Sequence, residues 1–214
     1  MKAYFVSGSN GLLNFLPNIE VTDNIKEAKL VVFTDGPAVS PSLYKEKKLG
    51  GLTDVKHDIN RDRSDKAVYT RLSKDQIAIG IGRGSGFLAV MNGAKLIQYA
   101  TKKNRYFSHD ITFRSANGKN YKFAVLSNNY QPIYPCDCND EDYTVLGLSK
   151  ATDEYVCENK DAVRTLRYSG DPELVVFHKK NNPVSICVQF RPDLMPESYP
   201  SKIVAQTICK YADK

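Results

Sequence analysis

Residues 76–98 carry the chain's most informative chemistry. Gly80-Ile81-Gly82-Arg83-Gly84-Ser85-Gly86 ends a short apolar run, residues 76–81, and precedes Phe87, Leu88 and Met91 at the spacing of one helix face. That order predicts a buried parallel strand, a tight turn and a helix, with Asn92-Gly93 as the helix stop. Such a turn presents one residue at the strand end, beside free backbone N–H groups that stabilise an anion. It suits nucleophilic attack on an acyl group with oxyanion donors close by. The residue presented here is Gly82, which has no attacking atom. Ser85 is the nearest hydroxyl, but Arg83 breaks a Gly-x-Ser-x-Gly pattern, and the expected role of Ser85 is hydrogen bonding in the first helical turn. His57, His109 and His178 are the only histidines, and the sequence assigns a partner to none of them. Cys136-Asp137-Cys138 lacks the second pair that a zinc site needs, so no metal and no cofactor are expected.

The stretch resembles the nucleophile elbow of class I glutamine amidotransferases, in the branch of the gamma-glutamyl hydrolases. The family pattern runs roughly Gly-Ile-Cys-Arg-Gly-x-Gln-x-Leu-Asn-Val, then Gly-Gly-x-Leu-x-Gln. Arg83, Gly84, Leu88, Val90, Gly93, Leu96 and Gln98 match it, and Gly82 stands at the cysteine. Residues 31–46, Val-Val-Phe-Thr-Asp-Gly-Pro-Ala-Val-Ser-Pro-Ser-Leu-Tyr-Lys-Glu, resemble the family's Gly-Gly-x-Asp-Val-x-Pro-x-Leu-Tyr-Gly-Glu loop. Val188-Gln189-Phe190-Arg191-Pro192-Asp193 resembles Val-Gln-Trp-His-Pro-Glu, which places Arg191 at the catalytic histidine and Asp193 at the orienting glutamate. Leu126-Ser127-Asn128-Asn129-Tyr130-Gln131 resembles Asn-Ser-x-His-His-Gln with both histidines replaced. The resemblance implies an α/β fold with a mostly parallel central sheet and helices on both faces, a flavodoxin-like three-layer arrangement. It also implies that Gly36 and the backbone N–H of Arg83 belong to the oxyanion-hole region.

Loss of activity follows from side-chain chemistry at those positions. Hydrolysis of a carboxamide by this route needs a thiolate, a base and oxyanion donors. Glycine supplies no attacking atom, and a guanidinium has only donors and stays protonated, so Arg191 cannot act as the base. Losing a nucleophile typically costs on the order of a million-fold in rate. The expectation is a protein that binds a protein partner or a small anionic ligand; the resemblance allows for divergent copies, including ones carried by bacteriophages. Candidate ligand-binding residues are Gly36, Arg83, Gly84, Ser85, Asn129, Tyr130, Gln131 and Arg191, with the arginines as a source of positive charge. A simpler role for Arg191 is an ion pair with Asp193. Two other classes stay open: an active amidotransferase or gamma-glutamyl hydrolase with another nucleophile, and a structural or assembly protein with a relic pocket.

The elements that must position these residues follow from patterning. Strands are expected at residues 3–6, 19–21 and 30–34, a short helix at 24–28, and a charged helix at 58–72 before the elbow strand. In the C-terminal half, β-hairpins are expected: residues 111–114 with 121–126 around Ala116-Asn117-Gly118, 144–148 with 154–157, and 174–177 with 184–190 around Asn181-Asn182-Pro183. A last helix spans 201–211, with Val204, Ile208 and Tyr211 on one face.

The chain has 214 residues, 42% of them hydrophobic and 25% charged, which suits one α/β domain over residues 1–214. No apolar run approaches the roughly twenty residues of a membrane span, and no secretion leader is visible. Five cysteines form no close paired framework, which fits reduced thiols in a cytoplasmic protein. The net charge of +6 is dispersed in small groups such as Lys45, Lys47, Lys48 and Lys102, Lys103, Arg105. Without a dense basic stripe interleaved with aromatics, nucleic acid is not an expected partner.

Overall fold

The computed structural model describes residues 1–7, 10–48, 55–100, 108–114, 118–127, 131–135, 138–150, 155–156 and 170–213. The strands are β1 (Lys2–Val6), β2 (Glu20–Val21), β3 (Leu30–Phe33), β4 (Ile77–Ile81), β5 (Lys95–Leu96), β6 (Tyr99–Ala100), β7 (Ser108–Arg114), β8 (Asn120–Leu126), β9 (Ile133–Tyr134), β10 (Tyr143–Lys150), β11 (Tyr155–Val156), β12 (Gly170–Phe177) and β13 (Val184–Val188). The helices are α1 (Ile59–Tyr69), α2 (Arg83–Met91) and α3 (Tyr199–Ala212).

Among the described residues the main sheet has the order β2-β1-β3-β4-β13-β12-β10-β7-β8. It runs parallel from β2 to β13 and antiparallel from there to β8. The β3 and β4 runs are buried on both sides, as a central parallel strand must be. Their alternating side chains feed two cores. Leu30, Val32, Ile77, Ile79 and Ile81 pack with Val204 and Ile208 of α3, and Val31, Phe33 and Ala78 pack with Phe87 and Leu88 of α2 and Tyr69 of α1. Helices therefore cover both faces, and the fold is the α/β class with hairpins in its C-terminal half.

Two local expectations are corrected. Residues 24–28 form a single turn, because the Asn24 carbonyl accepts the Glu27 N–H at 3.0 Å while the Asn24 side chain accepts from Lys26 N at 3.1 Å. These local bonds satisfy the backbone before a second helical turn can form. The strand at 144–148 does not pair with residues 155–156: β10 is flanked by β12 and β7, so β11 pairs with β6. The β7–β8 and β12–β13 hairpins form as expected, although the turn residues 116–117 lie outside the described residues. No helix among the described residues is long and apolar enough to cross a membrane.

Glycines set how closely α2 approaches the sheet. A Cβ on Gly84 would lie 2.0 Å from the Phe33 carbonyl oxygen, and one on Gly80 would lie 2.2 Å from the Gly84 carbonyl oxygen. Phe87 then stacks on Phe33 at 5.2 Å and meets Tyr69 edge-on at 6.4 Å. Because the clash at Gly84 is with backbone, Gly84→Ala is expected to cost about 2–3 kcal/mol, read as a lower urea midpoint. An unchanged midpoint would show that α2 can move off the sheet freely.

Candidate functional site

The elbow sits where β4 feeds α2. Gly82 has φ +59° and ψ −120°, a conformation that glycine adopts and side chains resist, and it forms the N-terminal cap position of α2. Its N–H donates to the Val188 carbonyl at 3.0 Å, tying the turn to the end of β13. The tight strand-to-helix turn that the sequence predicts is present, with no side chain on it.

Next to it stands the Asp35 carboxylate. Asp35 Oδ1 accepts the Gly36 N–H at 2.9 Å and the Arg83 N–H at 3.0 Å, the two groups assigned to the oxyanion-hole region by resemblance. Asp35 Oδ2 faces Arg191 Nη1 at 3.3 Å. Arg191 in turn grips Asp193 through two bonds, Nε to Oδ1 at 2.8 Å and Nη2 to Oδ2 at 2.6 Å. Those Asp193 bonds, the largest effect, hold the guanidinium above its already high pKa, and the Asp35 charge adds to it. Two carboxylates thus surround one guanidinium, and the two N–H groups already hold a negative oxygen. A Cβ placed on Gly82 would lie 2.6 Å from Asp35 Oδ1.

The charge of Arg83 is turned inward. The residue is 5% exposed, and its guanidinium pairs with Asp62 at 2.5 Å and with Asp65, both on α1. Arg61 joins through Nε to Asp65 Oδ1 at 2.8 Å and reaches Thr34 Oγ1 at 2.9 Å, while Asp62 Oδ2 accepts the Ser40 N–H at 2.9 Å. This network fastens α1, α2, the end of β3 and the loop after it. Asp62 and Asp65 stand three apart on one helix and so share a face. Their buried role was missed in the sequence, where that spacing within a charged helix was the available signal.

The other candidates also act within the scaffold. Gly84 is buried against Phe33. Ser85 is fully buried, and its hydroxyl donates to the Gly82 carbonyl at 2.6 Å while accepting from Gln189 Nε2 at 2.7 Å. Gln131 exchanges two bonds with the Val39 backbone, at 2.8 and 3.1 Å, holding the loop that follows Gly36. Asn129 and Tyr130 lie outside the described residues. Arg83, Gly84 and Ser85 are all buried, with the Arg83 guanidinium turned to α1 and the Ser85 hydroxyl to Gln189.

Two of the histidines gain side-chain partners that the sequence could not assign. His109 Nε2 lies 3.0 Å from Glu173 Oε1, which also accepts from Ser149 Oγ at 2.8 Å. His178 Nε2 lies 3.0 Å from Thr144 Oγ1. His57 forms a parallel bridge with Ala38. Cys138 Sγ approaches the Asn92 carbonyl at 3.9 Å, and Cys136 is outside the described residues.

A family model described as Peptidase C26 matches residues 5–131. No curated protein matches the chain in sequence. Among solved structures, the chain is similar to a Thermoplasma acidophilum protein described as part of a GMP synthase, at 15% identity and a TM-score of 0.61, covering 100% of this chain and 94% of that one. It is also similar to a glutamine amidotransferase from Thermotoga maritima, at 12% identity and a TM-score of 0.49, covering 100% and 92%. The first likeness shows the fold alone, an α/β arrangement shared with that protein.

Proposed function

The chain belongs to the Peptidase C26 family, and on that premise we propose that it is a member which no longer hydrolyses amides and acts instead by binding. One observation carries this reading: the Asp35 carboxylate stands against Gly82, so that a side chain at position 82 would have to displace it. Aligned with the family loop, Asp35 stands at the first glycine of Gly-Gly-x-Asp, while Gly82 stands at the cysteine. A glycine has gained a carboxylate, and a nucleophile has become a glycine. The gained carboxylate takes both N–H groups that would stabilise an oxyanion, 2.6 Å from where the lost Cβ would be. Without donors or nucleophile the elbow offers neither of the main contributions to acyl transfer. Arg191, held protonated by Asp193, cannot take a proton.

What the protein binds is a protein partner or a small anionic ligand. The reading is tested by incubating the purified protein with glutamine and a panel of gamma-glutamyl amides. Ammonia release is expected to equal that of buffer. Turnover near about 1–10 per second, typical of enzymes, would overturn it.

A further inference from the structure

We draw no further inference here: the strongest candidate, the aromatic surface patch where Tyr199 at the start of α3 stacks on Phe123 of β8 at 4.7 Å with Tyr121 exposed on the same strand, is an unpartnered apolar face and nothing in the structure shows what covers it.

Discussion

Restoring the three family residues by Gly82→Cys, Arg191→His and Asp193→Glu is expected to yield a protein that still releases no ammonia from glutamine. Adding Asp35→Gly to the same three is expected to raise turnover by at least about a thousand-fold over the triple variant, because even one oxyanion-hole donor is typically worth a hundred- to a thousand-fold in rate. The reason is steric and electrostatic together. With Asp35 in place, a Cβ at position 82 has its nearest contact 2.6 Å from a carboxylate oxygen, and that oxygen holds the N–H groups of Gly36 and Arg83. A thiolate there would face a fixed negative charge, and the developing oxyanion would find its donors taken. Removing the carboxylate frees both donors and the space for sulfur in one step. Steady-state ammonia release from the triple and quadruple variants decides the matter. Equal activity in the two would show that Asp35 does not close the site.

Arg83→Met is expected to destabilise the fold by about 3–5 kcal/mol, the usual cost of leaving buried charges without their partner. The Arg83 side chain is 2% exposed, and those of Asp62 and Asp65 are 2% and 0% exposed. Without the guanidinium, two buried carboxylates would share only Arg61, which reaches Asp65. Such a loss is a large part of the roughly 5–15 kcal/mol that holds a domain folded. Urea unfolding of the variant provides the check, and a loss under about 1 kcal/mol would contradict the network's role. Replacing the pair as well, with Asp62→Asn and Asp65→Asn in the Arg83→Met background, is expected to recover part of the stability, since the penalty lies in the unmatched charges.

The same arginine shows how far the sequence could be read. Its place at the start of α2 was legible, because the glycine turn and the helix face after it are local patterns. Its direction was not. A residue at a helix N-terminus beside an expected anion site suggests positive charge offered to a ligand, yet the guanidinium turns to α1, where Asp62 and Asp65 were visible only as part of a charged helix. Arg191 differs: Asp193 lies two residues away, so an ion pair between them was a reading available from the chain itself. The pairing of strands divides in the same way. β12 and β13 are joined by a short turn and form a hairpin as their spacing suggests, whereas β11 joins β6 across more than fifty residues, because both edges of β10 are taken.

By itself, the sequence determined the strands of the main sheet, the helices α1, α2 and α3, the strand–turn–helix around Gly82 and the absence of an attacking atom on it. These depend on side-chain period, glycine conformational freedom and the chemistry of single residues, all of which are local. Only the tertiary structure decided that the Asp35 carboxylate accepts the Gly36 and Arg83 N–H groups and that Arg83 turns to Asp62 and Asp65. Those outcomes depend on which groups are brought within hydrogen-bond distance by the packing of α1, α2 and the loop after β3 on the sheet. Electrostatic and hydrogen-bond energies fall away within a few ångströms, and no spacing along the chain encodes that proximity.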